Sequence, residues 1–113
     1  MTTKLNVRIN EGETVGFKVT LFDSNSDVIV PSSMDWYLYD ASNTGVSSGA
    51  VSALSSENLI TIGASLTLIN TTQYRSEEPR LLYVAAQYTD SVLGTCKTTD
   101  VFQFTLVNNP YLY

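Results

Sequence analysis

An all-β fold, a two-layer β-sandwich of about seven strands forming a single domain over residues 1–113, is what this sequence predicts. Three observations predict it. Stretches with an apolar residue at every second position recur at roughly ten-residue spacing, as half-buried strands do. Gly, Asn, Asp, Ser and Pro punctuate them, and no stretch makes a convincing amphipathic helix. The segment Arg80–Thr89, Arg-Leu-Leu-Tyr-Val-Ala-Ala-Gln-Tyr-Thr, is apolar on both faces, with Leu82, Val84, Ala86 and Tyr88 on one and Leu81, Tyr83, Ala85 and Gln87 on the other. A strand apolar on both sides belongs in the middle of a sheet.

The elements follow in chain order. Lys4–Ile9 alternates, with Leu5, Val7 and Ile9 on the buried face. Asn10-Glu11-Gly12-Glu13 is a turn in which Gly12 can take a positive φ. Thr14–Phe22 alternates again, with Val15, Phe17, Val19 and Leu21 inward. Asp23–Asp27 is a polar loop, and Val28-Ile29-Val30 is a short apolar piece stopped by Pro31. Met34–Asp40 is a strand that turns Met34, Trp36 and Leu38 one way and Tyr37 and Tyr39 the other, with Trp36, the sole tryptophan, as a core plug. Ala41–Ser56, rich in Ser, Gly, Asn and Ala, reads as a weak edge strand with loops. Asn58–Gly63 is a short strand carrying Leu59, Ile60 and Ile62, and Ala64–Ile69 is either its continuation or a helical turn. Asn70–Pro79 is a polar connection into the central strand, Thr89–Thr95 a loop with Gly94, and Thr98–Val107 the last strand, with Phe102, Phe104 and Leu106 inward. Trp36 on the third main strand, with Val84 and Ala86 as its alternating partner, gives the sandwich an immunoglobulin-like shape. Two features of antibody domains are missing. There is no cysteine pair to bridge the layers, and Tyr83 lies on the wrong face for a tyrosine corner.

Composition bounds the function. At 113 residues there is room for one real core, and 43% hydrophobic residues suit a folded chain. The net charge is −5, with only six Lys and Arg and no His. Nucleic-acid binding needs a basic patch, and an anionic membrane repels an acidic chain, so neither partner is expected. Cys96 is the single cysteine, so no intrachain disulfide and no cysteine-based zinc site can form. A lone cysteine suits folding in a reducing compartment. No apolar stretch near the N-terminus makes a leader, and none reaches the ~20 residues of a membrane helix. The chain starts with Met and runs straight into its first strand, as expected of a complete small gene product.

Few constellations carry chemistry. Asp23, Asn25 and Asp27 have the spacing that opens a calcium loop, but Val28 stands where that loop needs Gly and Met34 where it needs Glu. A polar loop whose side chains bond their own backbone is expected instead, with no metal and no cofactor. Glu11 with Glu13, and Glu77 with Glu78, are expected in solvated turns, where no carboxyl is raised for acid catalysis. Without His, neither a Cys-His nor a Ser-His-Asp arrangement can be built, so no enzyme is expected. Asn70-Thr71-Thr72 matches a glycosylation pattern, which means little without a leader. The aromatics are the remaining signal. Tyr37, Tyr39, Tyr74, Tyr83, Tyr111 and Tyr113 lie outside the inward sets, and exposed tyrosine suits protein interfaces and sugar-binding surfaces. The alternative is that two-sided strands bury about half of them. The candidate partner-binding residues are Tyr37, Tyr39, Tyr111, Leu112 and Tyr113. The last three follow Pro110 and either dock on a neighbour or fold back.

The stretch Met34-Asp35-Trp36-Tyr37-Leu38-Tyr39-Asp40, the later Leu82-Tyr83-Val84-Ala85-Ala86-Gln87-Tyr88-Thr89-Asp90-Ser91-Val92-Leu93-Gly94, and the closing strand Asp100–Leu106 together resemble a family of small structural proteins of tailed bacteriophages. The opening Ile9-Asn10-Glu11-Gly12-Glu13-Thr14-Val15-Gly16-Phe17-Lys18-Val19 is similar to the start of immunoglobulin-like domains in phage head and tail proteins. The resemblance covers most of the chain and carries no catalytic residues. It implies a virion component made in the host cytoplasm, present in multiple copies by symmetry, that contacts capsid, portal or tail subunits at the head or head–tail junction. The alternative is a carbohydrate- or host-surface-binding module of a virion.

Overall fold

The computed structural model describes residues 2–10, 12–23, 25–40, 42–63, 67 and 77–107, with the backbone alone for residues 2–7. Nine strands form among them: β1 (Thr2–Asn10), β2 (Val15–Val19), β3 (Leu21–Phe22), β4 (Val28–Ile29), β5 (Ser33–Tyr39), β6 (Gly45–Ala50), β7 (Asn58–Ile62), β8 (Glu77–Asp90) and β9 (Gly94–Val107). They make a five-stranded sheet in the order β1-β9-β8-β5-β6, a pair β2-β7 and a pair β3-β4. The domain is all-β, arranged as a generic sandwich. The count exceeds seven because Thr20 splits the expected Thr14–Phe22 strand, and because Val28–Ile29 pairs back on Leu21–Phe22.

β8 is the middle strand, as its two-sided apolarity requires. It pairs antiparallel with β9 along its whole length and with β5 from Leu81 to Gln87. Trp36 stands opposite Val84 and Met34 opposite Ala86. β1 runs parallel to β9, and its register slips between Lys4 and Arg8. β2 lies in the other layer, against β7, so the Gly12 turn carries the chain from one layer to the other. Gly12 has φ 80° there, a conformation that favours glycine. The core lies between the layers. Met34, Leu38, Leu82, Val84, Ala86, Phe104 and Leu106 of the large sheet meet Val19, Ile60 and Ile62 of the small one. Phe17 and Phe104 join the layers with ring centroids 5.1 Å apart. Asn58 is fully buried and satisfied. Its Nδ2 donates to the Val19 carbonyl, and its Oδ1 accepts from the Ser55 amide.

Three expectations need correction. Trp36 does not plug the core. It is half-buried, packed against the core from the rim, with its indole lying over Gly49 on the edge strand. Glu77 and Glu78 are not in a solvated turn, because β8 begins at Glu77 and is already paired with β9 there. The alternation that buries Leu82 and Val84 therefore also buries Glu78 and Arg80, 3% and 4% exposed, and they form an ion pair at 2.8 Å. Pro79 between them lies where β8 runs past the end of β5, a position that tolerates a missing donor. Finally, the expected Thr89–Thr95 loop is shorter. Asp90 pairs with Gly94 and only Ser91–Leu93 turn, so β9 starts four residues before Thr98. The weak edge strand expected within Ala41–Ser56 is β6, the outer strand of the large sheet. Of Ala64–Ile69 only Thr67 is described. It accepts from the Gly12 amide and donates to the Glu13 carbonyl, pinning the inter-layer turn.

Candidate functional site: an outward aromatic face and an apolar tip

The face of the large sheet turned away from the core is set by strand alternation. Residues on β5, β8 and β9 out of phase with Met34, Leu82 and Phe104 point outward. Register then brings Tyr37, Tyr83 and Val101 into one row across three strands, and Tyr39, Leu81 and Gln103 into the next. Tyr37 and Tyr83 form an edge-on aromatic pair with centroids 6.1 Å apart and planes at 62°. Tyr37 is 38% exposed and Tyr39 half-buried. Two of the residues singled out from sequence are thus brought together, with Tyr83 and Leu81 as neighbours. Tyr111, Leu112 and Tyr113 lie outside the described residues, as do Glu11, Tyr74 and the Asn70-Thr71-Thr72 pattern. Beside Tyr37 and Tyr39, the slip in β5–β6 pairing leaves a depression of about 290 Å³ lined by Leu38, Gly45, Val46, Ser47 and Ser48 as well as the two tyrosines. Among the described residues no formally charged side chain lines it.

Three turns share one design. Asp23 Oδ1 accepts from the Asn25 and Asp27 amides, Asp40 Oδ1 from those of Ser42 and Thr44, and Asp90 Oδ1 from those of Val92 and Leu93. A side-chain carboxylate replaces missing strand bonds in each, the mechanism of an Asx turn. Each also has a left-handed residue: Ser26, Asn43 or Gly94, with φ 64°, 61° and 79°. The calcium-like spacing at Asp23 is therefore a turn whose carboxylate is occupied by backbone amides. Among the described residues no cluster of three or more His, Cys, Asp or Glu is placed to hold a metal.

The third turn is the feature that sequence reasoning missed. β5 pairs with β8 only as far as Gln87, so the β8–β9 ribbon projects past it. At its tip Val92 and Leu93 are 86% and 76% exposed. The signal was present as Asp90 four residues before Gly94, a tight three-residue hairpin that puts the intervening side chains on the outside. The Leu93 and Val92 amides hold the Asp90 carboxyl below the ordinary aspartate range. Farther down the ribbon the Tyr88 hydroxyl is pushed up, first by burial, then by Cys96 across the strands, with Asp90 and Asp23 adding to it. The chain leaving the β3–β4 hairpin reaches this end of β8, where the Ser32 amide donates to the Gln87 carbonyl, and Phe22, Val28 and Val30 on and beside that hairpin are exposed as well. Searches of protein-family models, curated proteins and solved structures each return no match for the chain.

Proposed function

We propose that the chain is a structural or accessory protein of a tailed-phage virion, acting through protein–protein contacts at the head or head–tail junction. The observation that carries the reading is the surface. Large apolar side chains are exposed at one end, Val92 and Leu93 foremost, and Tyr37, Tyr39 and Tyr83 lie together on the outer sheet face. A small domain exposes such groups in clusters where something is to cover them. The finer fold assignment belongs to the same proposal. An outer sheet in the order β1-β9-β8-β5-β6 with β1 parallel to β9, facing the β2-β7 pair, is consistent with an immunoglobulin-like sandwich of the variable type. The resemblance of the β5 and β8–β9 stretches to small phage proteins supports the location, and the fold argument is one of analogy. In this reading the protein needs no cofactor and catalyses nothing. Its partners are capsid, portal or tail subunits, met in several symmetry-related copies.

Quantifying the chain in purified particles from an infection that produces it tests the proposal. A fixed copy number per particle is expected, and absence from the particles overturns it. A second reading, a carbohydrate- or host-surface-binding module, is favoured specifically by the gathering of Tyr37, Tyr39 and Tyr83 on one face. Binding to a glycan array that is lost on Tyr37→Ala and Tyr83→Ala would establish it.

A further inference from the structure

We infer that β1 is an exchangeable strand: two copies of the chain form a closed dimer in which each lends β1 to the other, to pair with that copy's β9 as it pairs with its own in the monomer. The dimer is a property of the chain itself and holds whether or not the virion proposal does.

Four observations carry it. First, β1 is held lightly. It is the outer strand of the large sheet, and its ladder with β9 is broken into two stretches of three rungs, Thr2–Lys4 against Val101–Gln103 and Arg8–Asn10 against Thr105–Val107. Second, the closed and exchanged states differ at one turn. The Glu13 amide donates to the Asn10 carbonyl at 3.2 Å, Gly12 sits at φ 80°, and Thr67 ties the Gly12 amide to the Glu13 carbonyl. Opening the turn gives up these bonds, while every rung between β1 and β9 re-forms across copies, so concentration decides between the states. Third, the alternation suits both states. Leu5, Val7 and Ile9 before the turn and Val15, Phe17 and Val19 after it all stand at odd positions. Straightening the chain between Asn10 and Thr14 therefore joins β1 and β2 into one unbroken alternating strand, with no change of face. Fourth, charge selects what fills the vacated edge. Residues 2–10 contain Lys4 and Arg8 and no Asp or Glu, a charge of +2, so the rest of the chain carries −7 (−5 − 2). Arg8 is ion-paired with Glu77 at the start of β8. β1 is thus a basic strand on an acidic body, and a second copy supplies a strand of the same charge, register and alternation. Reciprocal exchange is isologous and closes as a two-fold dimer.

Sedimentation of the full chain across a concentration series should show monomer giving way to dimer and to nothing larger. The turn sets the balance. Gly12→Val opposes φ 80° in the closed turn and suits an extended one, so it should raise the dimerisation constant at least tenfold. A disulfide trap reads the exchange directly. Arg8 and Thr105 are register partners, so Arg8→Cys with Thr105→Cys, in a Cys96→Ser background, is oxidised separately in the monomer and dimer fractions. The monomer should give an intrachain disulfide, and the dimer an interchain one that survives denaturation. If that variant fails to fold, Asn10→Cys with Val107→Cys, two rungs along on the same face, replaces it. The trap and the Gly12→Val measurement are independent, and either decides without the other. A parent that stays monomeric at every concentration overturns the inference. So does a dimer whose disulfides are all intrachain, or a folded Gly12→Val chain that dimerises no better than the parent. An exchanged dimer in a chain absent from particles sinks the virion proposal alone, and a monomeric chain found at fixed copy number in particles sinks the exchange alone.

Discussion

At Asn58 a single amide closes the end of β2 onto the start of β7, and removing it takes a partner from one buried and one part-buried backbone group at once. Asn58→Ala leaves the Val19 carbonyl and the Ser55 amide without that partner. An unsatisfied buried polar group costs about 1–3 kcal/mol, and denaturant unfolding should show a loss in that range. Gly49 is constrained differently. A Cβ there would stand 2.8 Å from the Trp36 indole. Gly49→Ala should cost about 1–3 kcal/mol, the scale of overpacking, and the cost should shrink markedly in a Trp36→Leu background. Equal costs in both backgrounds would show that the indole is not what Gly49 accommodates. The inward phase of Trp36 was legible, since Met34 and Leu38 flank it two residues either side. Its position at the rim was not, because that depends on which strand neighbours β5, and a weakly patterned segment of small residues gives no register.

Among the elements, β8 and its hairpin to β9 contain both what alternation predicts and what it hides. Counting back by twos from Leu82 reaches Arg80 and Glu78, so their burial was implicit in the pattern once the strand was extended far enough. The charges and Pro79 argued for stopping it. Removing one member of a buried ion pair costs about 3–5 kcal/mol, whereas apolar replacement of both is often neutral. Arg80→Met alone should therefore destabilise strongly, and Glu78→Leu with Arg80→Met should recover most of the loss in thermal melts. At the other end of the ribbon the sign of the Asp90 effect follows from its depressed titration. Because the folded carboxyl holds its proton less tightly than the unfolded one, the turn's contribution is present above the ordinary aspartate range. It is lost as pH falls through the depressed folded value. Amide exchange at Val92 and Leu93 should accelerate on acidification relative to core amides, and Asp90→Ala should show the fast behaviour already at neutral pH. A tip whose protection ignores pH would mean that the carboxylate does not hold it.

On the scale of the whole molecule, the all-β class and the core-facing sets on β2, β5, β8 and β9 were readable from period-two patterns, since burial selects every second residue along a strand. The assignment of strands to layers was not. Leu5-Asn6-Val7 and Val15-Gly16-Phe17 carry the same kind of alternation, yet one strand joins the large sheet and the other the small. Pattern fixes a face and says nothing about a neighbour. The candidate surface was half legible for the same reason: Tyr37, Tyr39 and Tyr83 were in phase to face out, but the pairing that sets Tyr83 beside Tyr37 and the turn geometry that exposes the Val92-Leu93 tip were not. The β1–β9 pairing carries a consequence for how the protein is made. Thr2 lies beside Val101, 99 positions further along the chain (101 − 2). At ~5–20 residues per second of synthesis, β1 waits about 5–20 s before β9, its one neighbour in the sheet among the described residues, is translated. The first strand therefore leaves the ribosome well before its partner, and this side of the sheet closes only once β9 has followed. With its margin dependent on so distant a contact, refolding should take milliseconds to seconds rather than microseconds. Until that last strand arrives, the nascent chain's exposed edge is one for chaperones to guard.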